Sequence, residues 1–254
     1  MNLWLMQTIY LAGAAALLPF APFLYLQGRY VRRKVGLLPD AAGGKTGAFG
    51  DAGETAEPVN LLAIGESTVA GLGAKTHETA LAGQFARVLS EKTGKPVRWH
   101  VIGKNGVTAK RALKELLPQI PAGEKFDYII VGLGGNDVLK LSSPLKWRRN
   151  MLKILRKLRE KYPESVIFIT NVAAIKLSPV LPEPIKFILW RLSRLHNANI
   201  KQFVREFTDV YYYEQPDAVP PDFFADGIHP SEAGYKIWSE EIIKTMNRQE
   251  QQKR

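Results

Sequence analysis

Cysteine is absent, and histidine occurs only four times in 254 residues. Without cysteine there is neither a disulfide framework nor a thiolate metal site, and no redox compartment follows from the count. His77, His100, His196 and His229 are scattered, with none of the spacing of a zinc site. No metal and no cofactor are expected. Acidic residues are in the minority, with 24 Asp and Glu against 35 Lys and Arg and a formal charge of +11. Such a balance favours nucleic acid or an anionic lipid surface. No base-reading motif accompanies the charge, so nucleic acid is set aside.

Charge is missing altogether from residues 3–26, "LWLMQTIYLAGAAALLPFAPFLYL". As a helix this run would reach roughly 36 Å, against a hydrocarbon core of ~30 Å. Arg29, Arg32, Arg33 and Lys34 follow it, the reverse of the flank of a cleaved signal peptide. The expectation is an uncleaved membrane anchor whose basic side, with the rest of the chain, faces the cytoplasm. Pro19 and Pro22 interrupt the backbone ladder and leave an interfacial or re-entrant anchor open.

The expected organisation is an anchor with a basic flank at residues 1–36, a flexible linker at 37–57, a folded domain at 58–247 and a polar tail at 248–254. The linker is rich in Gly and Ala and lacks apolar periodicity. Its "GGKTG" resembles part of a phosphate loop but fails as one, because Pro39 stands where the first glycine is required. Short apolar runs then alternate with helical stretches, the pattern of an α/β domain with a largely parallel sheet. Strands are expected at 59–64, 97–102, 128–133, 166–171 and 210–213. Helices are expected at 80–92, 108–117, 145–161, 185–207 and 232–246, the last capped by Ser231.

Three polar clusters directly follow three of these strands: "GEST" after "LLAI", "GKNG" after "WHVI" and "GGND" after "YIIVGL". In a parallel sheet the carboxyl ends share one edge, so the clusters should meet in one crevice. "DGIHP" precedes the last helix and can return over that edge. Ser67 needs a base to become a nucleophile, and His229 is the candidate. Asp226, three residues earlier, can hold the other ring nitrogen and stabilise the imidazolium. The N–H groups of Ser67 and Gly106 and the amide of Asn136 are available as oxyanion donors.

Those residues, in that order and rough spacing, resemble the four blocks of the SGNH subgroup of GDSL-type lipases and esterases, over about residues 58–247. The resemblance implies a flavodoxin-like three-layer α/β/α sandwich with a five-stranded, mostly parallel sheet behind the anchor helix. It also implies a metal-free serine esterase with an oxyanion hole of Ser67, Gly106 and Asn136. Members act on lysophospholipids, acyl-thioesters and acetylated sugars, so a small-molecule ester is implied, lipids included, without a specific substrate. Glu66 departs from the pattern, standing where the family has Asp. The nucleophile turn is not a G-x-S-x-G elbow, because Val69 occupies the second glycine position.

Competing readings are a catalytically silent, membrane-attached module that binds a lipid or glycan, and an acyltransferase using the same site. Asp137 is expected to support its loop rather than to react, and His77, His100 and His196 to be surface or satisfied core residues. The basic helix at 145–161 reads as a solvated outer face over a stripe of Leu152, Ile154, Leu155 and Leu158, or as a patch for anionic head groups. Leu181, Phe187 and Trp190 follow the strand that ends at Asn171 and are candidates for the wall of an acyl groove.

Overall fold

The computed structural model describes residues 2–36, 38–50, 57–172, 174–214 and 216–253, without the side chains of 247–253. Leu37 and residues 51–56 of the expected linker, and Arg254 of the expected tail, lie outside the described residues. Five parallel strands run β2 (Val59–Gly65), β3 (Val97–Gly103), β4 (Tyr128–Gly132), β5 (Val166–Ile169) and β6 (Val210–Tyr212). A sixth, β1 (Thr46–Phe49), lies antiparallel against β3 and completes the order β1-β3-β2-β4-β5-β6. The sheet thus has six strands rather than the five expected. The extra one comes from the Gly-rich stretch read as a flexible linker.

Alternation along each strand builds two cores, as period-2 side chains must. On β2, Leu62 and Ile64 belong to one core and Leu61 and Ala63 to the other. The first core is covered by α4 (Ala109–Glu115), α6 (Pro144–Lys161) and α7 (Ile185–Phe203), the second by α3 (Leu81–Thr93) and α8 (Glu232–Lys253). The architecture is the expected three-layer sandwich. Ser231 caps α8 by accepting the Gly234 N–H at 3.0 Å, and the helix continues through the expected tail to Lys253. On α6 the buried stripe is Trp147, Met151, Ile154, Leu155 and Leu158, while Leu152 is only partly buried.

Strand order reverses around β2, whose neighbours are β3 on one side and β4 on the other. Gly65 pairs in register with Gly103 of β3 and with Gly132 of β4. Those three strand ends are therefore level, and the residues that follow each leave the sheet into one crevice, the usual ligand position of an open parallel sheet.

The N-terminal apolar run folds as α1 (Leu3–Leu17), a 3-10 turn at Leu18–Phe20 and α2 (Ala21–Val35). Together these form one helix of 33 residues, long and apolar enough to cross a membrane. It does not stand apart from the domain: α1 packs on α6 and α7, and α2 on α7. Met6 and Val31 are buried at 0% and 7% exposure, and Tyr10 and Val35 pack on the first core. Polar bonds tie both halves down. Gln7 accepts the Leu145 N–H at 3.2 Å, the Tyr10 hydroxyl donates to the Leu141 carbonyl at 2.7 Å, and Gln27 bonds the Glu183 carbonyl and the Ile185 N–H.

Candidate active site

The Ser67 turn begins where β2 ends. The Val69 and Ala70 N–H groups both donate to the Glu66 carbonyl at 2.9 Å, curling the chain so that Ser67 sits at the sheet edge, buried to 8% exposure. The turn is pressed against the last block: a Cβ on Gly73, at φ +94°, would lie 2.1 Å from the Pro230 carbonyl oxygen. Only glycine fits there. From α8, the Tyr235 hydroxyl donates to the Leu72 carbonyl at 2.7 Å, holding turn and helix together.

Asp226 organises "DGIHP". Its Oδ1 accepts the N–H groups of Ile228 and His229 at 2.8 and 2.7 Å, and its Oδ2 lies 2.8 Å from His229 Nδ1. On the other side of the ring, Nε2 is 3.1 Å from Ser67 Oγ. Burial pushes the Asp226 carboxyl up, but the bonds and charge of His229 and the Ile228 N–H outweigh it and hold the group below its ordinary 3.8. The carboxylate is therefore ionised near neutrality and accepts only, so Nδ1 carries the ring proton. That leaves Nε2 to accept from the Ser67 hydroxyl.

Glu66, left open by the sequence reading, has a definite place. Its Oε1 accepts the Gly135 N–H at 2.7 Å, and its Oε2 accepts the Asn136 N–H and the Asn136 side-chain amide at 2.8 and 2.6 Å. Burial raises this carboxyl from 4.5 to about 7, opposed by those same donors. The added methylene lets the carboxylate reach across to α5 (Gly135–Leu139) and orient Asn136. Asp137, also buried, accepts the Ala109 N–H at 2.8 Å and so ties the same helix to the start of α4. This is the supporting part expected of it. Burial raises its carboxyl as well.

Gly106 adopts φ +72° with nothing near a notional Cβ, so the residue is needed for its backbone conformation and not for space. Its carbonyl accepts Lys140 Nζ at 2.9 Å. Among the described residues, the N–H groups of Ser67 and Gly106 donate to no protein acceptor. Both residues, with Asn136 and His229, line one cavity of about 2170 Å³.

Leu181 and Phe187 line the same cavity. Trp190 does not. It packs on Phe187, with Lys176 Nζ 5.7 Å and Arg194 Cζ 5.4 Å from its ring centre, an amphipathic ring occupied by cations rather than by the cavity. The remaining histidines lie away from the site. His100 is half-buried beside Glu124, and His77 is buried next to Trp99. His196 is fully buried and stacked on Trp147 at 4.6 Å, but neither ring nitrogen has a partner, so it is a core residue without the expected satisfaction.

The model of the GDSL-like lipase/acylhydrolase family matches residues 63–237. A GDSL-like esterase of Mycobacterium tuberculosis is 25% identical over 186 residues, which take in 70% of this chain and 59% of that relative. The chain thus spans under two thirds of that relative's length. Among solved structures, a lipase from a goat rumen metagenome superposes with a TM-score of 0.60 at 20% identity, covering 74% of this chain and 97% of the other. A family two carbohydrate esterase from Clostridium thermocellum gives 0.57 at 16% identity, covering 78% and 66%. These likenesses are to the fold. The family match, which contains the Ser67 turn, both glycine-bearing loops and "DGIHP", places the chain in the GDSL-like lipase/acylhydrolase family.

Proposed function

We propose that the protein is a serine esterase that cleaves carboxylic esters through an acyl-enzyme. Ser67 Oγ attacks the ester carbonyl while His229 Nε2 takes its proton, and Asp226 stabilises the resulting imidazolium. The N–H groups of Ser67 and Gly106 and the amide of Asn136 bond the oxyanion. His229 then protonates the departing alkoxide. Water, deprotonated by the same imidazole, releases the acid and restores Ser67. The observation that carries this reading is a single imidazole 3.1 Å from a hydroxyl and 2.8 Å from an ionised carboxylate. The two N–H groups left without acceptors at the cavity support the oxyanion assignment.

The catalytic unit is taken as residues 58–247, with Leu181 and Phe187 touching the acyl half of the substrate. The N-terminal helix serves as an in-plane membrane contact. Bonds from both its halves to one domain favour this over a perpendicular span. Among the described residues, every large exposed hydrophobic side chain lies on this helix or is one of Leu139, Leu141, Leu145 and Phe187. All four come from segments adjoining the helix or the cavity. This exposed apolar surface, followed along the chain by Arg29, Arg32, Arg33 and Lys34, matches an anionic bilayer surface. The basic flank favours the cytoplasmic side, and protease added outside intact cells should leave the domain whole.

A fluorophosphonate probe should label the full chain on Ser67. Ser67→Ala should lose both labelling and turnover of p-nitrophenyl acetate. Turnover that persists in that variant would assign the chemistry elsewhere.

A further inference from the structure

The cavity beside Ser67 is larger than a short acyl group needs, and one of its walls comes from outside the expected catalytic unit. Its volume of about 2170 Å³ exceeds the ~300–1,000 Å³ usual for a small-molecule pocket. Gly13, Leu17, Leu24 and Val31 of the N-terminal helix line one side of it. Ile188, Leu192 and Leu195 of α7 line another.

We propose that residues 9–35 form a wall of the acyl-binding site, so that the fatty-acyl chain of a long-chain ester lies between the N-terminal helix and α7 with its carbonyl at Ser67. The inference rests on the serine-esterase reading. Three observations carry it. Ser67, His229 and the helix all line one open crevice. Its lining is predominantly aliphatic and aromatic, the surface that rewards a hydrocarbon chain by about fourfold in affinity per buried methylene. The helix also turns small residues to this space: Gly13 and Ala14 line it, and a Cβ on Gly13 would meet nothing within 4 Å. Both residues are exposed, so the space beside them is open and is not filled by packing. Gly28, in contrast, brings the helix close to Ile185 of α7, with a notional Cβ 3.6 Å from Cδ1.

The apolar segment therefore has a second role beside membrane contact. An ester seated in the membrane surface meets the helix, and its chain enters the space that leads to the nucleophile.

The test uses the full chain in mixed micelles and a hexadecyl fluorophosphonate bearing a diazirine near its chain terminus. Ser67 displaces fluoride and fixes the chain in place, and photolysis then reports what the chain end touches. Adducts on peptides from residues 9–35 and from α7 are expected. Adducts confined to other segments, with none on 9–35, would overturn the proposal. Failure to label Ser67 at all would instead sink the esterase reading, which separates the two. As a second measurement, Gly13→Trp should lower the ratio of kcat/KM for p-nitrophenyl palmitate to that for p-nitrophenyl acetate at least tenfold. An unchanged ratio counts against the wall, and because it is a ratio, a partly misfolded preparation does not disguise the result.

Discussion

Two surfaces face the same cavity and are held by opposite physics. Around Ser67, position is set by directional bonds from buried carboxylates. Glu66 spans from the nucleophile turn to Asn136, Asp137 from Asn136's helix to the start of α4, and Asp226 along its own loop to His229. On the opposite side, the N-terminal helix and α7 present mostly aliphatic side chains, and the helix is fastened by the few polar bonds of Gln7, Tyr10 and Gln27. The difference matches what each surface would have to do. Bond-making tolerates errors of tenths of an ångström poorly, whereas a hydrocarbon chain asks only for a dry space of suitable width.

The largest expected break in this comparison comes at the rim. His229→Ala removes the imidazole bonded to Ser67 and should lower kcat/KM by roughly 10⁴-fold or more, with the melting temperature little changed. Asn136→Ala should cost about 10²–10³ in kcat, the usual loss of one oxyanion donor. Measured beside each other, the two separate proton transfer from charge stabilisation. Equal losses for Asn136→Ala on kcat and on stability would reduce the residue to a loop brace.

Glu66→Gln sharpens the contrast in a second way. Three N–H donors converge on this carboxylate, and an amide offers a single oxygen, so at least one donor loses its acceptor. The expected fall in kcat/KM is about tenfold, the size of one hydrogen bond. The pH dependence of stability is the more specific readout. The folded carboxyl is raised from 4.5 to about 7, so the unfolded chain releases this proton first. Its contribution is complete below about 4.5 and is lost as pH rises through about 7, a total of about 3 kcal/mol at ~1.4 kcal/mol per unit. Chemical denaturation of Glu66→Gln across this range should lack that decline.

Much of the rim was legible from the order of motifs, because a parallel sheet converts chain order into shared position. "GEST", "GKNG" and "GGND" meet since Gly65, Gly103 and Gly132 end level, and "DGIHP" joins them through the bond of His229 to Ser67. Less could be read where the determinant is a distant partner. β1 is four residues, "TGAF", with no apolar alternation of its own, and it exists because the β3 edge at Val97–His100 accepts it. Hydropathy reads residues 3–26 as a membrane segment and is blind to where Gln7, Tyr10 and Gln27 dock. The role of Glu66 was likewise hidden, since an acid at this position shows nothing of the three donors awaiting it. Trp190 follows the right strand, but the cations of Lys176 and Arg194 flank its ring and the cavity lies elsewhere.

The smallest expected effect probes the core behind α7. His196 of α7 stacks flat on Trp147 of α6, with an interplanar angle of 6°, and both ring nitrogens lack partners. Burial lowers its pKa from 6.5 to about 3, so the folded protein keeps the ring neutral while the unfolded chain protonates it. Its contribution is therefore present above about 6.5 and is lost as pH falls toward about 3, the opposite sense to Glu66. Between about 4.5 and 6.5 the two oppose each other, so the wild-type profile is flatter there than either group alone would make it. His196→Phe retains the stack, removes two unpartnered polar atoms and should alter stability near pH 8 by less than about 1.5 kcal/mol. Its signature lies in acid, where the variant should resist unfolding better than the wild type while Glu66→Gln does not. An acid limb unchanged by His196→Phe would mean that the buried ring finds a proton partner in solution, and the contrast between a bonded rim and the unpartnered ring in the core behind α7 would then be weaker than the geometry implies.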